Sequence, residues 1–128
     1  MHADPYHPLY LKGIEHFNHR RFFESHETWE ELWKNQRGPS RQFYQGLIQT
    51  AVALHHAGHG NVRGARRLLA RARQLLEPYQ PWHLGLDIAD LLRWMDGSVA
   101  GGGAAGSAAP WPEGAPQLCL KAPDGGAG

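Results

Sequence analysis

The sequence predicts an all-α fold, a single compact bundle of about five helices with a disordered C-terminal tail. Apolar residues recur at helical spacing in five segments, and glycine and proline mark the links between them. No alternation of apolar and polar residues lasts long enough to indicate a β-strand. A chain of 128 residues is long enough for one domain. We therefore expect a helical bundle domain over residues 1–97 and a tail over residues 98–128.

The five predicted helices differ in how their apolar residues are arranged. They span about residues 8–18, 22–34, 41–57, 62–77 and 87–95. The third is apolar nearly all round, so we expect it to be the central helix, whereas the others have one apolar face. The inward face of the second helix is predicted to carry Phe22, His26, Trp29 and Trp33. Both tryptophans are expected to pack against the third helix.

Residues suited to helix ends stand between these segments. Ser40 and Asn61 are expected to cap the third and fourth helices, because their side-chain oxygens can accept hydrogen bonds from free backbone N–H groups. Gly58 is expected to end the third helix in a left-handed conformation.

The charge of the chain is nearly balanced, with 13 lysines and arginines against 12 acids. No strong overall field therefore draws it to nucleic acid or to a membrane surface. The arginines of residues 63–73 lie opposite the leucines of the fourth helix, where a solvated face belongs, and no aromatic residues are interleaved with them as in nucleic-acid sites. The partner stays unknown, and a homo-oligomer is left open.

The cysteine content and the N-terminal sequence indicate the compartment. The lone Cys119 excludes an intrachain disulfide and a cysteine-rich metal site. The N-terminus lacks a basic stretch followed by an apolar one, and no apolar run approaches about 18 residues. We therefore expect a cytoplasmic protein without a membrane-spanning segment.

Residues 98–128 differ in composition from the rest of the chain. They hold half of the 16 glycines and only three charged residues. Such a segment buries too little apolar surface to offset the entropy lost in ordering its backbone. We expect a flexible tail, and the alternative is a docking arm that uses Trp111, Leu118 and Leu120.

Two predicted helices carry polar residues on otherwise apolar surfaces. His26 and Glu30 are four residues apart, so they lie one turn apart on one flank of the second helix. Further polar residues form a stripe along the third helix. If the two helices are antiparallel neighbours, the two polar groups face each other across the core. The candidate binding cluster consists of His26, Glu27, Glu30, Gln45, Gln49 and His56.

Three interpretations of this cluster compete. The first is a structural hydrogen-bond network that determines the register of the helices. The second is a binding or catalytic pocket that uses the acid–base chemistry of His26 and Glu30. The third is a divalent metal held by His26 and Glu30 together with His56 or an amide of the third helix, because helical bundles can hold metals with histidine and carboxylate ligands. The cofactor stays unknown, with a divalent metal as one candidate, and no catalytic residue is assigned.

Three ordered motifs resemble a known family. They are FFESHETWEELW at residues 22–33, RQFYQGLIQ at residues 41–49 and GNVRGA at residues 60–65. Together they resemble domain-of-unknown-function family 309, a group of small bacterial and archaeal helical proteins, over about residues 10–80. The resemblance implies a compact helical bundle and no established activity. It also suggests that the motif positions converge, namely His26, Glu27, Glu30, Gln45, Gln49, Gly60 and Asn61.

The expected function follows from the polar cluster. We expect a small-ligand-binding or interaction module with a polar pocket between helices two and three. The alternative is a metal- or His/Glu-assisted hydrolytic enzyme. A ligand pocket should be open to solvent with unpaired polar groups, whereas a structural network should be closed and fully hydrogen-bonded.

Overall fold

The described part of the chain consists mainly of five α-helices, as the sequence predicts. The computed structural model describes residues 6–101 and 114–120. The helices are α1 (Pro8–Asn18), α2 (Phe22–Lys34), α3 (Arg41–Gly58), α4 (Val62–Leu76) and α5 (Ile88–Gly101). A 3-10 turn at Glu77–Tyr79 and two strands, β1 (Trp82–His83) and β2 (Leu86–Asp87), connect α4 to α5. Within the described residues, no helix is both long enough and apolar enough to cross a membrane.

The central helix is α3, which packs against α2 and also against α4. α1 packs on α2, and α5 packs on α4. Gly46 allows the close approach of α3 and α4, because a Cβ atom at this position would lie 2.6 Å from the side chain of Leu76. The nearly continuous apolar surface of α3 therefore has a neighbour on two sides, as the prediction of a central helix requires.

The orientation of α2 differs from the predicted one. The residues buried on α2 are Phe22, Ser25, Trp29 and Leu32. The predicted inward face is therefore wrong at His26, whereas Trp33 is partly buried and packs against the core. Trp33 lies beside the start of α3, where the Arg41 guanidinium stands 4.0 Å from the centre of its ring.

A notch in α1 explains this orientation. A Cβ atom at Gly13 would overlap the indole of Trp29, so only glycine admits the ring at this position. Trp29 Nε1 donates a hydrogen bond to the Tyr10 carbonyl over 3.2 Å, and Ser25 Oγ donates one to the Gly13 carbonyl over 2.9 Å. Trp29 is fully buried as expected, and its side-chain hydrogen bond and its ring contact with Phe17 are both with α1.

The helix ends follow the sequence at one position and depart from it at two. Asn61 caps α4, because its Oδ1 accepts a hydrogen bond from the Gly64 N–H over 3.0 Å. Ser40 makes no side-chain capping bond, and its hydroxyl instead lies 2.8 Å from Nε2 of His83. The left-handed residue after α3 is Gly60, with a φ of +86°, and Gly58 is the last helical residue.

The two short strands were not predicted. They pair antiparallel around Leu84 and Gly85, which both have positive φ values of 47° and 82°. The buried Tyr10 hydroxyl donates a hydrogen bond to the Leu84 carbonyl over 2.8 Å and ties this hairpin to α1. Strands of two residues are too short to show the alternation that identifies a strand in a sequence.

The structure describes part of the predicted tail. α5 continues past its predicted end to Gly101, and residues 114–120 pack beside the end of α1, with Ala115 and Leu118 buried. Of the residues of the docking-arm alternative, Leu118 is thus in contact with the bundle. Trp111 falls in residues 102–113, and these and residues 121–128 lie outside the described residues, so the division after Gly97 stays a prediction.

Candidate functional site

The pair that the helical spacing brings together lies at the surface of α2. His26 Nε2 and Glu30 Oε1 are 3.8 Å apart, as residues one turn apart should be. Their side chains are 21% and 47% exposed. His26 Nδ1 lies 3.1 Å from the Phe23 carbonyl of the preceding turn. The two side chains therefore form an accessible pair and not a buried one.

The other predicted residues do not join this pair. Glu27 is exposed, and it lines with Glu30 a shallow polar depression of about 630 Å³ on the outer side of α2. Gln45, Gln49 and His56 are partly buried on α3. Within residues 6–101 and 114–120, the side chains of the two glutamines make no hydrogen bond, so the expected network across the core is not formed.

The metal candidates are also not brought together. No group of three or more histidine, cysteine, aspartate or glutamate side chains in the described parts of the chain could hold a metal ion. His26 and Glu30 therefore lack the third protein ligand that His56 was expected to supply. The face of α3 that approaches α2 carries His55 instead of His56.

What the structure gathers around α2 is a cluster of aromatic and imidazole rings. The centre of the Phe23 ring lies 5.4 Å from that of His26 and 5.3 Å from that of His55. His55 is in turn 4.3 Å from His59 and 6.2 Å from His56 between ring centres. Phe23 is therefore the contact through which α2 meets the histidine-rich end of α3.

This ring cluster borders a groove between the α1–α2 turn and the end of α3. The groove encloses about 470 Å³. Its apolar lining includes Leu54, which is fully buried, and Phe23, which is 45% exposed. Its charged and titratable lining consists of Arg20, Arg21, Glu24, His55 and His59. Two arginines, two histidines and one carboxylate thus line the groove together with its apolar residues.

The turn between α1 and α2 places the arginines at the groove. Arg20 has a φ of 64°, in the left-handed region that few residues other than glycine adopt. The backbone N–H groups of Arg20 and Arg21 donate hydrogen bonds of 2.9 Å to the carbonyls of Phe17 and His16 and hold the reversal. Arg20 and Arg21 are consecutive in this turn and both line the groove, and the Arg20 guanidinium also donates a hydrogen bond to the Ala115 carbonyl.

The electrostatics of the groove centre on His55. Burial lowers the pKa of His55 below its ordinary value, because desolvation penalises the charged imidazole. The positive charges of His59, His56 and His26 lower this pKa further, and the carboxylate of Glu24 opposes the shift. A bound negative charge would offset the repulsion among the imidazoles and raise the pKa of His55 again.

Some features of this groove could have been predicted from the sequence. His55 and His59 are four residues apart on a predicted helix, so their proximity could be expected. Phe22 and Phe23 are adjacent, so a helix cannot bury both on one face, and one of them should be exposed. The choice of His55 over His56 depends on the rotation of α3, which periodicity alone does not give.

The comparisons with known proteins cover the part of the chain that forms this groove. Residues 10–68 match the family model described as "Domain of unknown function (DUF309)". The chain is 40% identical over 85 residues to the uncharacterized protein YpuF of Bacillus subtilis strain 168. That alignment covers 64% of this chain and 49% of YpuF, so the chain spans about half the length of this relative. The match confirms the resemblance to domain-of-unknown-function family 309 over residues 10–68.

Proposed function

We propose that this protein is a binding module for a small organic anion with an apolar body, which it holds in the groove between the α1–α2 turn and the end of α3. One observation carries the proposal: a half-exposed phenylalanine beside a buried leucine is bordered by two arginines and two histidines. Ligand sites combine an apolar lining with a few polar groups that orient the ligand. The groove has both.

Each part of the groove has a distinct task in this proposal. The Phe23 ring and the Leu54 side chain contact the apolar body of the ligand. Arg21, whose side chain is exposed, pairs with the negative charge of the ligand, because a guanidinium can donate two parallel hydrogen bonds to a carboxylate or sulfonate. His55 becomes protonated as the anion binds and adds a second positive charge beside it.

The site is therefore proposed on residues other than the predicted His26–Glu30 pair. That pair is accessible, but within the described residues it belongs to no group of three or more side chains that could hold a metal ion. The alternative of a metal- or His/Glu-assisted hydrolytic enzyme stays a prediction.

We also propose that the protein acts in the cytoplasm. Cys119 is a free and exposed cysteine. An exposed free thiol is maintained most easily in a reducing compartment.

The binding proposal can be tested with naphthalene-2-sulfonate as the anionic probe and 2-naphthylmethylammonium as the cationic control of similar shape. Nuclear magnetic resonance would follow the backbone amides and the histidine rings of the protein during each titration. The sulfonate should shift the signals of Phe23, His55 and His59, and the ammonium compound should not. Binding of both probes with similar affinity would contradict an anion site.

Three variants separate the groove from general attraction between opposite charges. Phe23→Ala should weaken sulfonate binding by about tenfold, because it removes the aromatic contact. Arg21→Gln should weaken it by about two- to fivefold, as is typical of one exposed ion pair. Arg67→Gln, at an exposed arginine of α4 outside the groove, is the matched control and should leave the affinity unchanged. Equal losses in Arg21→Gln and Arg67→Gln would contradict the proposed site.

A further inference from the structure

The end of α1 binds the main chain of residues 114–120. The Asn18 side chain pairs with both polar groups of the Leu118 backbone: its Nδ2 donates to the Leu118 carbonyl over 2.9 Å, and its Oδ1 accepts from the Leu118 N–H over 2.7 Å. Arg20 Nη2 donates to the Ala115 carbonyl over 2.7 Å. An amide side chain bonded in this way replaces the neighbouring strand that an extended peptide would otherwise need.

The same segment inserts two side chains into the bundle. Ala115 and Leu118 are each 5% exposed, whereas Gln117 and Cys119 between and beyond them are exposed. The segment has no helix or strand of its own. The bundle therefore recognises the segment by one small residue, by a leucine three positions later, and by hydrogen bonds to the main chain of the segment.

A cleft lies beside the segment. It shows that the surface of the bundle that holds the segment, here called the seat, extends beyond the segment itself. The cleft encloses about 240 Å³ between the segment, the β1–β2 hairpin and the start of α5. Trp82, Leu91 and Cys119 are among the residues that line it. The seat thus belongs to the folded bundle, and residues 114–120 form one wall of the cleft.

We propose that this seat, made of Asn18, Arg20 and the cleft beside Trp82, is an exchangeable docking site for residues 114–120, which it takes from its own chain or from a second copy. The same segment from a second copy would make identical contacts, and exchange of an identical element between copies is a low-cost route to dimers. Residues 102–113 join α5 to the segment, and twelve residues can span at most about 40 Å. The inference does not rest on the proposed anion site.

Mass action determines which copy supplies the segment. A tethered segment has an effective concentration on the order of millimolar at its own seat. The intramolecular contact therefore dominates at micromolar protein, and exchanged dimers form as the protein concentration approaches that range. Variants that disable either the seat or the segment remove the intramolecular competitor and bring the exchange into a measurable range.

Two full-length variants test the exchange. The donor carries Asn18→Ala, which disables its seat, and a bimane fluorophore on Cys119, the one cysteine of the sequence. The acceptor carries Leu118→Asp, which disables its segment and leaves its seat intact. Trp82 and Cys119 line the same cleft, so docking in trans brings the fluorophore beside a tryptophan, which quenches bimane on contact. Titration of the donor with the acceptor should give saturable quenching and a 1:1 complex by sedimentation.

Two control acceptors identify the contact. Asn18→Ala combined with Leu118→Asp should give at least tenfold weaker quenching, because its seat has lost the hydrogen bonds to the peptide backbone. Trp82→Phe combined with Leu118→Asp should form the complex by sedimentation without the quenching. A milder acceptor, Leu118→Ser, replaces Leu118→Asp if circular dichroism shows that the latter does not fold.

One outcome of this experiment supports the exchange and two outcomes overturn it. Saturable quenching that requires Asn18 in the acceptor supports the exchange. Absence of both quenching and complex up to about 1 mM acceptor would overturn it, since the seat would then accept the segment only within one chain. The labelled donor without acceptor is also compared with the labelled natural sequence. Equal quenching in these two proteins would overturn the proposal, because the segment would then stay docked in its own chain without Asn18.

Discussion

At the scale of single residues, Gly13 determines how α2 sits on α1. The indole of Trp29 occupies the space that any Cβ atom at position 13 would need. The ring is fully buried and cannot move aside without opening the core. The orientation of a thirteen-residue helix therefore depends on one hydrogen atom in place of a methyl group.

Gly13→Ala should for this reason lower the free energy of unfolding by about 2–3 kcal/mol, at the upper end of what overpacking usually costs. Urea unfolding followed by tryptophan fluorescence would measure it. The matched control is Gly97→Ala in α5, where a Cβ atom would meet no other atom within 4 Å. That change should be neutral or stabilising, because alanine favours a helix. A destabilisation of equal size in both variants would contradict the claim that the Trp29 indole needs a glycine at position 13.

His55 predicts how stability depends on pH. Its pKa is lowered in the folded protein by burial and by the neighbouring imidazoles. The unfolded chain therefore takes up a proton more readily, and the free energy of unfolding falls as the pH drops below about 7. This loss is complete once the pH lies below the lowered pKa of the folded state.

His55→Asn should reduce this pH dependence. The difference between the melting temperatures at pH 7.5 and pH 5.5 should be smaller in the variant than in the natural sequence. His59→Asn removes one of the charges that lower the pKa of His55 and should give an intermediate difference. His83, whose pKa burial also lowers, accounts for part of the slope that remains. A steeper slope in His55→Asn would contradict the assigned shift.

At the scale of elements, the sequence predicts the helices well and their rotation poorly. The bounds of α1 and α2 coincide with those expected, because turn residues and apolar periodicity agree there. The rotation of α2 depends on Gly13, which lies in another helix. A pattern within α2 contains no information on that notch, so His26 was predicted too far inward.

Helix capping shows the same limit at shorter range. Asn61 caps α4 through a bond within its own turn, which the local sequence predicts. The Ser40 hydroxyl instead lies within hydrogen-bond distance of His83, which is 43 residues away in the chain. Local rules predict local bonds, and a distant partner can replace them.

Asn61→Ala should lower the free energy of unfolding by about 1 kcal/mol through loss of the α4 cap. Asn61→Asp is the matched control, because aspartate keeps the accepting oxygen and adds a charge that favours a helix N-terminus. Thermal unfolding by circular dichroism distinguishes them. If Asn61→Asp lost as much stability as Asn61→Ala, the observed cap would not be what stabilises this helix end.

At the scale of the whole molecule, the fold class follows from the sequence and the contact of residues 114–120 with α1 does not. These residues have a composition that resembles a linker, and only Leu118 and Ala115 are buried. Their seat consists of side chains about 100 positions earlier, such as Asn18. The candidate site shows the same pattern, since its arginines come from the α1–α2 turn and its histidines from the end of α3.

Two truncations test the stabilising effect of this contact. A chain that ends after Glu113 should melt several degrees lower than the full chain, because it exposes the seats of Ala115 and Leu118. A chain that ends after Leu120 should melt with the full chain, since it keeps every described contact. Equal melting temperatures for all three chains would mean that the segment adds no net stability.

The central claim is that the groove at Phe23, and not the His26–Glu30 pair, is the binding site. The most direct test is the dissociation constant of naphthalene-2-sulfonate measured between pH 8 and pH 5.5 in three proteins. In the natural sequence, affinity should rise as the pH falls, because the anion binds the protonated form of His55 more tightly. His55→Asn should flatten this rise, and Glu30→Gln should leave it unchanged. A profile that is unchanged in His55→Asn and flattened in Glu30→Gln would contradict the account and return the site to the pair on α2.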